Sequence, residues 1–473
     1  MISSRTTFFL SILLVLQSCG PGSCQKQKSG KEIPLPASGK IHPSVPCSSN
    51  PGFSYALYLP SQVGSSTASQ DGAIHRKWPV IVLFDPGGSG LWPVKKYAEL
   101  AEKQGYILMG SNNSRNGLSD DVLIGVLSSL FSEIFTVYPV DTNRIYLAGF
   151  SGGSRTASFG ALIRLEVKGV IGCGAGFPGN NWRPSHKFDY FGMVGNADFN
   201  MNEMLMLGKT LDQYGFRHFI RIFDGGHTWP PKEVMAEAFS WNSLNAMKDN
   251  LTPRDENIIM DFKQSKEKQI TLSRKKNNLL ETASHLQEMM LLLNGLENTD
   301  SIQTVLGEIQ ASVEYRKQIK AQENSIRKEQ KEQQILMESL FTKDLSWWKK
   351  WMGKTKPELN NNANPEDTLL KKRLVSFLSQ LCYSNANAAM KQNEREVSEN
   401  ILRVYEVADP ENPEPNYLYA KLLMQHNDTN GSLRQLKIAV DKGFSDKNRA
   451  QTQVEFESLK NNPAFFDLLQ KMK

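Results

Sequence analysis

Three polar residues in this chain have the types and the order needed for acyl transfer. Ser151 lies at the centre of Gly149-Phe-Ser-Gly-Gly153. Glycines on both sides of a serine permit a sharp turn from strand to helix, and that turn lifts the hydroxyl above a sheet. A serine hydroxyl also needs a base to take its proton and an acid to orient that base. Asp198 and His227 follow in the order serine, acid, histidine. The pattern predicts a nucleophilic serine with Asp198 as acid and His227 as base.

Other residues compete for the two supporting roles. Asp224 and Asp120 are alternative acids, although Asp224 is so close to His227 along the chain that it would need a bent geometry. The remaining histidines lie before the predicted sheet, next to or inside a strand, or in the second half of the chain. They are His42, His75, His186, His218, His285 and His426. None follows the end of a predicted strand, so His227 is favoured.

A tetrahedral intermediate needs at least two N–H donors for its oxyanion. The amide of Gly152, directly after the serine, is one candidate. The second is expected in the glycine-rich loop after the strand that ends at Phe84. Pro86 has no N–H, so either Gly87 or Gly88 is predicted to donate.

The rim of such a site would also contact the substrate. The loop from Ser111 to Gly117 follows a predicted strand, so Asn112 and Asn113 either bind a polar substrate or form an asparagine-rich turn. Trp229, two residues after His227, is a further candidate for substrate binding. The cysteines show no metal-ligand spacing, so no metal site is expected.

The predicted elements place these residues at one edge of a parallel sheet. Short β-rich runs alternate with helical stretches between residues 53 and 248, the pattern of strands joined by crossover helices. The strands are predicted at 53–59, 79–84, 106–109, 144–148, 169–172, 188–194 and 216–223. The helices are predicted at 94–104, 121–135, 152–165 and 232–247. Residues 49–250 therefore form an α/β domain in which the serine, the acid and the histidine each follow a strand.

Two segments resemble a known esterase family. The runs from Arg144 to Gly153 and from Gly225 to Pro230 are similar to those of the α/β-hydrolase family that contains polyhydroxybutyrate depolymerases and feruloyl esterases. The resemblance covers about residues 50 to 248. It implies a secreted carboxylic ester hydrolase that uses Ser151, Asp198 and His227 without metal or organic cofactor. That family usually has a His-Gly-containing oxyanion loop. This chain has Asp85-Pro-Gly-Gly88 there, which weakens the assignment of a substrate.

The second half of the chain is predicted to be helical. Leu272, Leu279, Leu286 and Leu293 are spaced by seven, which predicts a long helix. A second long helix is expected at 302–340, so that 251–352 forms a helical hairpin or a coiled coil. Residues 353–367 are a linker by composition, and 368–473 resemble tetratricopeptide repeats. Trp347, Trp348 and Trp351 would either cap the hairpin core or lie at a membrane surface or in a partner groove.

The N-terminal residues carry the features of an export signal. An apolar run in residues 1–18 is followed by Cys19, in a pattern that resembles a bacterial lipobox. We expect either lipidation of Cys19 or a plain secretory signal, with residues 19–48 as a tether. If Cys19 is lipidated, we expect a lipid-anchored protein on the periplasmic or outer-membrane side. In an exported protein a Cys47–Cys173 disulfide is an option.

Three functions are compatible with these patterns. The first is hydrolysis of an ester, in a small molecule or a polymer, through an acyl-enzyme. The second is a peptidase on the same fold. The third is a surface interaction module with a vestigial hydrolase, in which the C-terminal helices bind a protein partner. Nucleic acid is not expected as a partner because the net charge of +6 is modest for 473 residues.

Overall fold

The computed structural model describes residues 35–64, 76–179, 182–360 and 365–472. From Pro36 onward the described residues form one compact unit. The predicted signal peptide, Cys19 and the first part of the tether lie outside the described residues, as do residues 361–364 of the predicted linker. None of the helices in the described ranges is both long enough and apolar enough to cross a bilayer.

A single sheet of eight strands forms the centre of the first half. In chain order its strands are β1 (Ile41–Pro46), β2 (Ser54–Tyr58), β3 (Trp78–Phe84), β4 (Ile107–Ser111), β5 (Val140–Phe150), β6 (Val167–Cys173), β7 (Asp189–Gly195) and β8 (His218–Phe223). Their order in the sheet is β1-β2-β4-β3-β5-β6-β7-β8. The first two strands pair antiparallel, and β4, β3 and β5 to β8 run parallel. This is the predicted α/β-hydrolase-type sheet.

The register of the parallel strands brings their carboxyl ends to one edge. Phe84 of β3 lies beside Gly149 of β5, and Phe150 lies beside Cys173 of β6. On the far side, Gly195 of β7 pairs with Phe223 of β8. Every loop that follows these strands therefore opens on the same side of the sheet, where ligands bind in open α/β folds.

Five helices flank the sheet. They are α1 (Leu91–Gln104), α2 (Asp120–Thr136), α3 (Gly152–Ile163), α4 (Met201–Gln213) and α5 (Lys232–Lys248). The strands alternate between two cores, with Val80 and Val82 of β3 on one face and Ile81 and Leu83 on the other. The sequence patterns missed β1 and α4. The latter has charged and polar residues among its methionines and leucines, which obscures its apolar face.

The second half consists entirely of helices. They are α6 (Glu256–Lys275), α7 (Leu279–Leu293), α8 (Asp300–Ala311), α9 (Val313–Leu340), α10 (Leu345–Thr355), α11 (Pro365–Lys391), α12 (Arg395–Ala408), α13 (Glu414–Gln425), α14 (Thr429–Asp441), α15 (Lys447–Thr452) and α16 (Pro463–Lys471). Two 3₁₀ helices, Lys356–Asn360 and Val454–Leu459, lie between them. The tryptophan motif belongs to α10, where Trp348 is fully buried in the core of the C-terminal helices.

Each predicted long helix is broken into two. Asn277 adopts a positive φ of 52° between α6 and α7, and the side chain of Asn278 caps α7 by accepting from the amide of Glu281. Ser312 separates α8 from α9 and caps α9 in the same way. The leucines spaced by seven therefore span a break, and Leu272 is half exposed. Asparagine and serine compete with the helical backbone for hydrogen bonds, which explains both breaks.

The first two of these helices pack on the core of the sheet domain. Ile259 and Phe262 of α6 join the same apolar cluster as Trp241 of α5, as do Met289 and Leu292 of α7. The antiparallel pair α6–α7 therefore completes one face of the sheet layer.

Four buried charged side chains also join these helices to the sheet. Arg221 of β8 lies 2.7 Å from the carboxylate of Glu237 on α5 and also pairs with Glu288 of α7. The Lys266 ammonium on α6 lies 2.8 Å from Glu237 and 2.6 Å from Glu288. Burial would raise the pKa of Glu237, but Arg221 and Lys266 outweigh burial and hold that pKa at about 2.

The disulfide option is not realised. Cys47 and Cys173 are both free and buried, and they belong to the cores on opposite faces of the sheet. Burial, together with the charge of Glu133, raises the pKa of the Cys47 thiol to about 11. Burial also raises the pKa of the Cys173 thiol. Neither thiol is therefore an activated nucleophile.

Candidate active site

Ser151 occupies the sharp turn between β5 and α3. Its backbone has φ 52° and ψ −120°, a conformation that costs a non-glycine residue roughly 1–3 kcal/mol and occurs mainly at functional sites. Its amide donates to the carbonyl of Cys173, which holds the turn against β6 (2.8 Å). Strand and helix approach so closely that a Cβ on Gly149 would lie 2.0 Å from the carbonyl oxygen of Gly153. Glycine is therefore required there.

The serine, the histidine and the aspartate form one hydrogen-bonded chain. His227 Nε2 lies 2.9 Å from Ser151 Oγ, and His227 Nδ1 lies 2.9 Å from both carboxylate oxygens of Asp198. Each side chain comes from the loop after a different strand, β5, β7 or β8. The Asp198 side chain is 1% exposed and that of His227 is 19% exposed, so the acid is buried while the base reaches the surface.

Aromatic rings and a capped loop hold the histidine in place. The imidazole lies between Phe150 and Phe199, with ring centroids 4.6 Å and 4.4 Å away. Asp198 Oδ1 also accepts from the amide of Asn200 at 2.8 Å, and the Asn200 side chain donates to the carbonyl of Gly174 at 2.7 Å. These contacts fix the acid and the ring before any substrate arrives.

The alternative acids lie elsewhere. The Asp224 carboxylate accepts from the Asn196 side chain at 3.1 Å, and Asp120 begins α2. Both contacts to His227 Nδ1 come from Asp198. The geometry thus favours Asp198, which its position after a strand had indicated.

The two predicted loop donors are already engaged. The amide of Gly87 donates to Asp85 Oδ1 at 2.9 Å, and the amide of Gly88 donates to the carbonyl of Asp85 at 3.0 Å. Asp85 thus turns the loop onto itself and uses both amides, and the assignment of Gly87 or Gly88 to the oxyanion stays a prediction. Gly152 remains available, since the first residue of a helix has no intrahelical acceptor for its N–H.

Asn116 lies near the nucleophile, in the predicted rim loop from Ser111 to Gly117, although the sequence patterns singled out Asn112 and Asn113 instead. A Cβ built on Gly152 would lie 1.7 Å from Asn116 Oδ1 and 3.0 Å from Asn116 Nδ2. The backbone amide of Asn116 donates to the carbonyl of Pro86 at 2.9 Å, which fixes this residue to the glycine-rich loop. A 180° rotation of the side-chain amide exchanges its oxygen and nitrogen, so it can direct an N–H toward the space beside Gly152.

The three residues predicted at the rim have structural contacts. Asn112 Nδ2 lies 3.2 Å from the carbonyl of Pro43 and 3.2 Å from Ser54 Oγ. Asn113 Oδ1 accepts from the amide of Ser54 at 2.7 Å. Both side-chain amides thus hold the start of β2, a structural contact of the kind expected if the loop is an asparagine-rich turn.

Trp229, the third of these residues, is buried at 4% exposure, which leaves little of it for a substrate. Its indole N–H donates to Asp85 Oδ2 at 2.9 Å. Since Asp85 Oδ1 accepts from Gly87, this one carboxylate shapes the glycine-rich loop and ties it to the loop of His227. Asp85 is also the position at which the loop departs from the His-Gly pattern of the esterases that two segments of the sequence resemble.

The helical half reaches the loop of the acid. Arg373 of α11 donates from Nη1 to the carbonyl of Asn196, two residues before Asp198, at 2.7 Å. Its Nε donates to Glu329 Oε2 on α9, also at 2.7 Å. Both side chains are buried, with 4% and 0% exposure. In the described part of the chain, no group of three or more His, Cys, Asp or Glu side chains is placed to hold a metal ion.

Comparisons with known proteins give only distant structural neighbours. No family model matches the chain, and no curated protein matches its sequence. Among solved structures, S-formylglutathione hydrolase from Staphylococcus aureus is 14% identical with a TM-score of 0.34, and the match covers 40% of this chain and 90% of that one. An esterase from Pyrobaculum calidifontis is 13% identical with a TM-score of 0.35, covering 44% and 87%. Acylaminoacyl peptidase from Pyrococcus horikoshii is 15% identical with a TM-score of 0.30, covering 41% and 39%.

Proposed function

We propose that this protein is a serine hydrolase that cleaves a carboxylic ester through an acyl-enzyme. The observation that carries the proposal is the position of His227, which contacts Ser151 Oγ with one nitrogen and the buried Asp198 with the other, each at 2.9 Å. A serine hydroxyl is a weak nucleophile unless a base of this kind takes its proton.

The reaction follows from this geometry in two halves. Ser151 Oγ attacks the ester carbonyl while its proton passes to His227 Nε2, and Asp198 stabilises the resulting imidazolium. The intermediate collapses when His227 gives that proton to the alcohol oxygen, which leaves. Water then attacks the acyl-enzyme with His227 as base and releases the acid.

The oxyanion of the intermediate needs donors that are already in place. The Gly152 N–H supplies the first. For the second we propose the side-chain amide of Asn116, since both amides of the glycine-rich loop are used inside that loop. A side-chain amide can fill this role, and removal of one such donor costs about 2.7–4 kcal/mol of transition-state stabilisation.

The direct test is turnover of short p-nitrophenyl esters. Ser151→Ala should lose turnover and labelling by a fluorophosphonate probe while its circular dichroism and melting temperature stay those of the folded protein. A panel of peptides assayed beside the esters distinguishes an esterase from a peptidase. Wild-type protein that neither turns over nor takes the label would favour an interaction module and reject the proposal.

Export with lipidation of Cys19 is a separate part of the proposal, supported by the apolar run and the lipobox-like residues before it. Cells fed radiolabelled palmitate should label the full chain, and Cys19→Ala should abolish the label. An unlabelled wild-type protein with a cleaved N-terminus would indicate a plain secretory signal.

A further inference from the structure

A cleft of about 340 Å³ opens beside the candidate catalytic histidine. Only Phe199 and His227 of its lining come from the hydrolase half. All the other lining residues belong to the helical half, on the 3₁₀ helix, on α11, on α12 and in the loop that follows α12. The helices that looked like a separate C-terminal region therefore form a wall of the active site.

The position of the cleft assigns it to one part of the substrate. It is lined by His227 but not by Ser151 or the oxyanion candidates. In ester hydrolysis His227 gives its proton to the oxygen of the departing alcohol, so that alcohol lies next to the imidazole. The acyl part lies on the serine side. The cleft is thus on the leaving-group side.

The wall of this cleft is held rigidly against the hydrolase. Arg373 neighbours the cleft residue Lys372 on α11, and its buried guanidinium donates to the Asn196 carbonyl and pairs with Glu329. A buried, doubly anchored arginine fixes the helix relative to the acid loop. A wall fixed in this way can discriminate between leaving groups, because its side chains need no ordering when the substrate binds.

The charges of the cleft indicate the chemistry of the alcohol. The Asp409 carboxylate also lines the cleft, and one of its oxygens, Oδ2, is held in place because it accepts from Ser379 at 3.2 Å and from Asn412 at 2.9 Å. The Lys372 ammonium, in contrast, has no carboxylate within 4.0 Å among the residues that the structure describes. Its neighbour Lys371 does not line the cleft, and its ammonium lies 3.6 Å from the carboxylate of Glu358.

We propose that the helical half provides the leaving-group subsite and that Lys372 selects esters whose alcohol part carries an anionic group. This inference rests on the proposed esterase function and adds to it the class of substrate. An anionic alcohol places its charge near the unpaired ammonium and its oxygen next to His227.

The test uses butyrate esters that differ only in the alcohol: glycolate (anionic), propanol (neutral) and choline (cationic). All three form the same butyryl-enzyme, so differences in kcat/KM report on acylation and hence on the leaving group. We expect the glycolate ester to have the highest kcat/KM. Lys372→Gln should lower that value by roughly 1.5-fold to 5-fold at low salt, the scale of an exposed charge pair, and 1 M salt should reduce the preference.

Lys371→Gln is the matched control, because it removes the same charge one residue away. It should leave the order of the three esters unchanged. A wild-type enzyme without preference for the glycolate ester, or two lysine variants with equal effects, would overturn the inference.

A second variant tests the wall without using charge. Ser376→Trp fills the cleft from α11, and it should lower kcat/KM for the propyl ester about 10-fold while methyl butyrate, which leaves the cleft empty, changes little. Equal losses for both esters would count against a leaving-group subsite. If the enzyme takes the fluorophosphonate label and cleaves methyl butyrate, but has the same kcat/KM for esters of all three alcohols, only this inference is contradicted. An enzyme that does neither contradicts the proposed function.

Discussion

Replacing Asn116 by alanine tests the oxyanion donor that the structure suggests. Asn116→Ala removes the side-chain amide that lies beside Gly152 and keeps the backbone bond to Pro86. If the Gly152 amide and this side chain are the two donors, the variant retains one of them. Loss of one donor corresponds to about 2.7–4 kcal/mol, or a decrease of about 10²-fold to 10³-fold in kcat.

The size of this effect can be separated from a loss of stability. Asn116 is exposed, so its truncation should change the free energy of unfolding by no more than about 0.5 kcal/mol. The oxyanion exists in the transition state and not in the bound ester, so KM should change far less than kcat. Turnover of p-nitrophenyl butyrate gives both constants, and urea unfolding gives the stability.

A matched variant in the same loop serves as the control. Asn112→Ala removes the same side chain four residues earlier, where the amide bonds to Pro43 and Ser54. Its kcat should stay within about threefold of wild type, since that amide secures β2 and not the reaction. Asn116 is excluded as an oxyanion donor if Asn116→Ala keeps wild-type kcat while Ser151→Ala is inactive, or if the two asparagine variants have the same kcat.

Three further predictions concern stability. Trp229→Phe removes the indole N–H that Asp85 accepts, and it should lower the free energy of unfolding in urea by about 1–3 kcal/mol; an unchanged midpoint would contradict that bond. Arg373→Met leaves Glu329 buried without its partner and should destabilise by about 3–5 kcal/mol, and adding Glu329→Gln should restore much of this in thermal unfolding. Burial lowers the pKa of His285. Below pH 6.5 this imidazole therefore binds a proton in the unfolded chain but stays neutral in the folded protein. Stability should therefore fall as the pH drops from 6.5, and less steeply in His285→Gln; parallel curves for both proteins would exclude this.

The fold of the first half could be predicted because its signals are local. Buried strands are continuous apolar runs, and Gly149-Phe-Ser-Gly-Gly153 demands a strand before it and a helix after it. The placement of Asp198 and His227 followed from the same rule, since both lie just past the end of a strand. These features depend on a few neighbouring residues and on the topology of a parallel sheet.

The details that depend on loop conformation could not be predicted. No sequence pattern predicts that the Asp85 carboxylate accepts from the amide of Gly87. None predicts that the side chain of Asn116, and not that of Asn112, lies beside Gly152. The repeat of leucines indicated a continuous helix because periodicity carries no information about a single αL residue such as Asn277. Contacts between distant segments, such as Arg373 with the carbonyl of Asn196, leave no pattern along the chain.

The buried charge cluster has a consequence for how this protein can be modified. Its four members, Arg221, Glu237, Lys266 and Glu288, come from the sheet domain and from the first two helices beyond it. A chain cut after Asn250 would keep Arg221 and Glu237 but lose Lys266 and Glu288. The Arg221 and Glu237 side chains, which α6 and α7 bury in the full chain, would then be exposed to solvent. The two halves therefore cannot be separated at residue 250 without unpairing these charges. A fusion protein that transfers the sheet domain to another scaffold has to include α6 and α7 as well.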